Sequence, residues 1–292
     1  MRLLSLALLA LCLAGCAAAR GERLALEPLA DFPSLLSESS GLAAWRGGLL
    51  SHNDSGKPAT LFALSAAGKS VRSWPVPAGN RDWEDIAVHG DDIYLADTGN
   101  NGGQRRDLAV YRLQLAAGTL QLRQRLPVAY AEQGNFRPPR HQHNFDAEAL
   151  AWVDGELWLL TKRWLDEDSA LYKLPAEGGK APLIEQQRLA TAMLVTGADY
   201  DAASQTLLLL GYSRHWLDRR AFLWLYPVRD GRVEEAQGRR WQLSEGGQFE
   251  GITLGEDGFI YLSREGGGSN LFRSRQPLAE LLPTAAPAQP RR

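Results

Sequence analysis

A short motif recurs five times along this 292-residue chain. The copies are Ser40-Gly41-Leu42-Ala43, Glu84-Asp85-Ile86-Ala87, Glu148-Ala149-Leu150-Ala151, Ala198-Asp199-Tyr200-Asp201 and Glu250-Gly251-Ile252-Thr253. Taking Leu42, Ile86, Leu150, Tyr200 and Ile252 as equivalent, the steps are 44, 64, 50 and 52 residues. Each copy is followed by a turn and an apolar run, such as Ile93-Tyr94-Leu95 or Leu157-Trp158-Leu159-Leu160. A third run then carries an aromatic second residue, as in Leu171-Tyr172-Lys173-Leu174. Four of these lead through Gly68, Gly118, Gly178 or Gly231 into a more polar fourth run. Period-two alternation, aromatic enrichment and glycine turns predict antiparallel strands. Four strands per unit of about 45–50 residues is the size of a propeller blade. The expected fold is therefore an all-β propeller of five blades. Six is the alternative, if the insert from Ala131 to Asn144 hides another blade. The last unit lacks its own fourth strand, and Arg23 to Phe32 is expected to supply it, joining the two ends of the chain.

Composition narrows the function classes. The chain has 45% apolar and 23% charged residues, an ordinary globular balance. With 32 basic and 34 acidic residues it lacks the excess positive charge of a general nucleic-acid binder. Its two cysteines, Cys12 and Cys16, both fall in the N-terminal segment. There Arg2 precedes an apolar run, Leu3 to Ala14, too short to be a spanning anchor. The run ends in Leu13-Ala14-Gly15-Cys16, which resembles a bacterial lipobox; a plain signal peptide cleaved near Ala18 or Ala19 is the alternative. The resemblance implies that residues 1–15 are removed and Cys16 is lipidated. It also implies a bacterial cell-envelope protein, tethered to the outer membrane and facing the periplasm. Residues 16–22 then form a linker, 23–278 the propeller, and 279–292 a disordered tail rich in proline and alanine. The mature chain carries no free thiol and is expected to be a monomer, touching the membrane through its lipid alone.

Innermost strands line a propeller's channel, and the five motif segments each begin with an acid: Glu38, Glu84 with Asp85, Glu148, Asp199 and Glu250. Like charges gathered at one mouth raise one another's pKa or require a cation. Ca²⁺, or another hard divalent cation, takes six to eight oxygen ligands in flexible geometry and suits such a ring. The alternative is that the acids cap strand ends or pair with rim arginines.

Second-strand ends point to the same face. Aligning them groups Asn53, Asp97, Thr161, Gly211 and Ser263, and one step on Asp54, Thr98, Lys162, Tyr212 and Arg264. These loops differ from blade to blade, as expected where one asymmetric ligand is recognised. Asn53, Asp54, Asn100, Lys162, Arg163 and Arg264 are candidate ligand-binding residues, and Glu148, Asp97, Lys162 and Arg264 candidate catalytic ones. Acids for a metal beside cationic side chains suit a small anionic ligand such as a phosphate, or another ligand of the cell envelope. Equally, Lys162 and Arg264 balance the acidic ring. His141-Gln142-His143 lacks further ligands at zinc spacing. His52 and His215 are candidate bases, and Trp83 and Trp164 candidate stacking platforms. No nucleophile elbow, phosphate-binding loop or dinucleotide fingerprint is present.

Several strings carry a family resemblance. Glu38-Ser39-Ser40-Gly41-Leu42, His52-Asn53-Asp54-Ser55-Gly56, Asp82-Trp83-Glu84-Asp85-Ile86-Ala87, Asp97-Thr98-Gly99-Asn100-Asn101, Asp146-Ala147-Glu148-Ala149-Leu150 and Thr196-Gly197-Ala198-Asp199 resemble a group of bacterial secreted propellers. The Ser-Gly-Leu and Glu-Gly-Ile elements are similar to SdiA-regulated and phytase-like propellers. A five-bladed ring with central acids also looks, more distantly, like calcium-activated nucleotidases. The resemblance implies a calcium-binding propeller. Two functions follow as expectations: a metal-dependent hydrolase of a phosphorylated or anionic substrate, or a non-catalytic binding propeller with a structural cation.

Overall fold

The computed structural model describes residues 22–179, 182–215, 217, 219–266 and 268–283. They form a five-bladed β-propeller. The inner strands are Ser39–Trp45, Asp85–His89, Ala147–Val153, Leu194–Asp201 and Phe249–Leu254. Each contacts the next around the ring, and the last returns to the first. From each inner strand an antiparallel meander runs outward.

Burial explains why the polarity of the runs falls along each unit. Middle strands are packed on both faces, so Thr206–Tyr212 is buried throughout. An outer strand such as Ser70–Pro75 has one buried residue, Trp74. The apolar side chains sort into five clusters, one between each pair of neighbouring blades. Face-to-face sheet packing therefore forms the core.

The ring closes through the N-terminal segment. Leu26–Ala30 pairs antiparallel with Leu271–Pro277 as the outer strand of blade 5. Just before it, Glu22–Leu24 pairs parallel with Arg239–Gly246, the outer strand of blade 4. Leu24 and Leu26 are buried in the cluster between these blades. Each such leucine contributes about 1.5–3 kcal/mol. The closing segment thus bridges two blades, where the sequence pattern assigned it to one.

The insert from 131 to 144 adds no strand, which removes the six-blade alternative. Its residues are polar and include Pro138 and Pro139, so they offer no alternating apolar face. Instead it packs against the blade 2 loop, where the His141 N–H donates to the Asn101 carbonyl at 3.1 Å and Gln133 Nε2 to the Gly103 carbonyl. At the other end, a helical turn at Leu278–Leu281 buries Leu278 and Leu281 against blades 4 and 5. Packed chain therefore runs past residue 278. The signal segment, Cys16 and most of the tail lie outside the described residues. Among the described residues, no helix is long and apolar enough to cross a membrane.

Candidate metal centre

Strand pairing defines which residues share the mouth. In four blades the inner strand carries a bulge that frees one residue from the ladder: Ser40, Glu148, Thr196 and Glu250. Glu84 holds the corresponding place in blade 2, its N–H donating to the Ala96 carbonyl at 2.9 Å. The ring is thus Ser40, Glu84, Glu148, Thr196 and Glu250. The two hydroxyls bond to the neighbouring blade: Ser40 Oγ donates to the Glu84 carbonyl and Thr196 Oγ1 to the Phe249 carbonyl. The three glutamates are left facing one another, all buried.

Two residues back along the chain, Asp82 and Asp146 stand on the same side as Glu84 and Glu148. One carboxylate oxygen from each of Asp54, Asp82 and Glu84 lies within 4.8 Å of the other two, and so do oxygens of Glu84, Asp146 and Glu148. Glu84 belongs to both groups. The loop after the second strand of blade 1 delivers Asp54, and Asn80 Nδ2 ties it down through the Asn53 and Asp54 carbonyls, at 3.0 and 2.9 Å. The loop of blade 2 closes over the carboxylates. A Cβ on Gly99 would run into Glu84 Oε1 and the Asp82 carboxylate, so only glycine fits there.

The electrostatics divide this mouth in two. Lys162, only 5% exposed, places Nζ 2.5 Å from Glu148 Oε2. Its ammonium also lies 5.2 Å from the Tyr212 ring centre, and Tyr212 OH donates to Glu250 Oε1 at 3.2 Å. Burial disfavours the charge, yet Glu148, Tyr212 and Glu250 hold Lys162 well above its ordinary range. Burial pushes Glu148 up as well, while Lys162 pulls it down. At 2.5 Å an ionised pair describes the contact best. Among the described residues no cationic side chain pairs directly with Asp54, Asp82, Glu84 or Asp146; Arg105 and Lys162 act on Asp82 and Asp54 only at longer range. Burial, then Glu148, Asp54, Asp82 and Asp146, push Glu84 well above the carboxylate range. Asp82 is pushed up to about 6 by burial and then by Asp54 and Asp146. Glu265 is pushed up to about 8 by burial and then by Glu250. The donors are all hard carboxylate oxygens with no sulfur or imidazole, the set that Ca²⁺ or Mg²⁺ takes.

Several sequence-assigned residues serve the scaffold instead. Asp85, a candidate metal ligand, is fully buried and accepts the N–H groups of Ile86, Leu150 and Ala198 at 2.8, 2.8 and 3.1 Å. It stitches blades 2, 3 and 4 across the channel. Asp199 likewise accepts Thr253 Oγ1 and the Leu254 N–H, stitching blade 4 to blade 5. The motif of blade 4 is displaced by two residues from the sequence alignment, so Thr196, not Asp199, stands on the ring. Glu38 sits half-exposed on the rim beside Lys57.

Asp97 accepts the Asp82 N–H at 3.1 Å and holds Arg105 at 2.8 Å, so it positions the cluster from behind. Asn53 accepts the Glu38 N–H, and Asn100 donates its own N–H to Asp146 Oδ1. Arg163 is paired with Asp166. Arg264 pairs in register with Phe249, one place earlier than aligned. Its guanidinium donates to the Gly246 and Ser269 carbonyls and lies over Phe272, away from the mouth. The next residue, Glu265, takes the inward place.

Asp82, Asp146 and Glu265 are the participants that sequence reasoning missed. The repeated Asp-x-Glu at 82–84 and 146–148 was the available signal, because alternation puts both acids on one side. Trp83 is fully buried against His52 rather than open to a ligand. Trp164 does reach the mouth, donating Nε1–H to Asp146 Oδ2 at 2.8 Å. His52 is sealed between blades, and burial pulls it down to about 4. His215 is exposed. His141 stacks on Trp164 and bonds to the Asn101 side chain, while His143 bonds to the Asn101 carbonyl and the Phe145 N–H, so both imidazoles are engaged by the loop and the insert.

Fold and site together define a five-bladed propeller with an acidic cluster that could hold a metal ion at one channel mouth. Two solved structures of glucose dehydrogenase are similar in fold, with TM-scores of 0.52 and 0.50. Each is 14% identical in sequence, over 86% of this chain and 99% of the other. No protein-family model matches the sequence, and no curated protein matches it significantly.

Proposed function

We propose that this chain is an exported, lipid-anchored propeller that binds Ca²⁺, or another divalent cation, and hydrolyses an anionic, phosphate-bearing substrate at the channel mouth. The carrying observation is the uncompensated half of the cluster. Asp54, Asp82, Glu84 and Asp146 would hold the ion, with Glu148 as a shared neighbour. When bound, such a cation stabilises developing negative charge and acidifies coordinated water. Asp54 and Asp82 are partly open to solvent, so the site has a side on which a ligand could approach. Glu265, titrating near 8, keeps its proton at neutral pH and is the acid at hand for a leaving group. The likeness of the Ser-Gly-Leu and Glu-Gly-Ile elements to SdiA-regulated and phytase-like propellers supports the reading. So does the lipobox-like Cys16, which fits a periplasmic outer-membrane lipoprotein.

A second reading, in which the cation is purely structural, draws support from the burial of Glu84 and Glu148. The two part in one experiment. Melting is measured in EDTA and in Ca²⁺, alongside turnover of a panel of phosphate esters and nucleotides. Calcium-dependent turnover, abolished by Glu84→Gln in a folded protein, is the expected result. A melting shift without turnover leaves the structural cation. No shift with Ca²⁺, Mg²⁺ or Mn²⁺ overturns the metal centre.

A further inference from the structure

The side chains first assigned to an anion are occupied elsewhere. Lys162 is sealed against Glu148, Arg163 is paired with Asp166, and Arg264 is spent on backbone carbonyls. Guanidiniums do gather at another place. Beside the cluster, on its blade 2 side, lies a cleft of about 470 Å³ whose lining includes Ser55, Arg81, Asp82, Asn101, Arg105 and Arg140.

Its parts have distinct origins. Arg105 is rigid: its Nη1 donates to the Gly99 carbonyl at 2.7 Å, and its Nη2 sits 2.8 Å from Asp97 Oδ1. Arg81 is 61% exposed and shares Asp107 with Arg105. Arg140 is exposed and comes from the insert that adds no blade. The pairing of His141 N–H with the Asn101 carbonyl places that insert here. Arg105, committed to Gly99, Asp97 and Asp107, adds positive potential from behind, while the exposed Arg81 and Arg140 come from different segments and can turn forked hydrogen bonds toward a tetrahedral anion with several oxygens. Asp82 belongs to both the cleft and the acidic cluster. With no cation on the cluster, its carboxylate repels an entering anion; with one, that repulsion is cancelled.

We propose that this cleft is a phosphate subsite whose occupancy is coupled to the cation. It rests on the metal-centre reading above and names the residues that grip the substrate's phosphate group. The coupling is reciprocal: the anion also tightens cation binding by the same factor.

The test is calorimetric titration of phenylphosphonate, a non-hydrolysable phosphate-ester mimic, into the purified protein in Ca²⁺ and in EDTA. The Arg81→Ala/Arg140→Ala double variant is titrated in parallel. Both side chains are exposed, so the variant should keep the wild-type calcium-dependent melting shift, which checks its fold. The expected result is binding in Ca²⁺ that weakens at least about tenfold in EDTA and at least about tenfold in the variant. Phosphatidylglycerol vesicles distinguish the phosphate source. Vesicles that displace the phosphonate from wild type alone assign a lipid headgroup to the same arginines. Vesicles without effect assign a soluble ester. Equal phosphonate affinity in wild type and variant, with the calcium shift intact, overturns the subsite. Arginine-dependent binding without any calcium response retains the subsite and overturns the metal centre and its coupling.

Discussion

The two halves of the channel mouth share ring glutamates at equivalent positions, Glu84 in one and Glu148 with Glu250 in the other, yet the chain supplies a counter-charge to only one of them. On the side of blades 3 to 5, Glu148 and Glu250 face Lys162, a cation supplied by the chain. On the side of blades 1 to 3, Asp54, Asp82, Glu84 and Asp146 have no such partner among the described residues. A built-in ammonium fixes charge permanently and lends rigidity. An exchangeable ion leaves open coordination positions and a charge that responds to its surroundings. On the proposed reading, function belongs to the uncompensated half and stability to the other.

The comparison can be broken most forcefully at Lys162. Lys162→Met strands Glu148 and Glu250 without a counter-charge. Removing one partner of a buried pair costs about 3–5 kcal/mol, read by urea unfolding. If the halves differ only in where the cation comes from, added Ca²⁺ recovers part of that loss. Next comes Asp85→Ala, which leaves three buried N–H groups without an acceptor. A destabilisation of about 3 kcal/mol is expected, with an unchanged calcium shift, because Asp85 is a staple and not a ligand. Glu84→Gln behaves in the opposite way. It relieves repulsion in the cation-free protein and abolishes the gain that wild type makes on Ca²⁺, about 2.7 kcal/mol at a hundredfold excess over Kd.

A graded effect follows from pH. Asp82 titrates near 6 and Glu265 near 8 in the folded chain, both above the unfolded carboxylate range. The folded state therefore binds more protons than the unfolded one across that window. The contribution of these two carboxyls in EDTA is full near pH 4 and is lost as pH rises through 6 to 8, against an opposite slope from His52 between about 4 and 6.5. Saturating Ca²⁺ should flatten the Asp82 part of the decline, since the ion replaces that proton, and leave the Glu265 part in place. Melting scans across this range, in both conditions, check the sign. The smallest effect is expected from Arg264→Ala, which loosens a rim loop by about 1 kcal/mol and leaves the calcium shift as it was.

The blades were legible in sequence because strand alternation, aromatic third runs and glycine turns act locally. Ring closure was legible too, from an outer strand missing at one end and a spare one at the other. The site was harder to read, because its register depends on bulges. A slip of two residues preserves strand alternation, so the alignment put Ala198 at the ring place of blade 4 where Thr196 stands, and the acid beside it, Asp199, was counted with the ring. A slip of one in blade 5 exchanged Glu265 for Arg264. Burial was the other blind spot. Asp85 looks like a ligand in any linear pattern, and only three converging N–H groups reveal it as a staple. Long-range pairing also decided the cations: Lys162 meets Glu148 across one blade, whereas Arg81 and Arg140 meet through an insert with no repeat signature.

The central claim is that the Asp54–Asp82–Glu84–Asp146 half of the mouth is a divalent-cation site. Calorimetric titration of Ca²⁺ into EDTA-stripped wild type and Glu84→Gln tests it most directly. The account predicts saturable binding to wild type, at pH 7.5, that is lost in the variant while its fold persists. Absence of binding to wild type, or equal binding to both proteins, would contradict it.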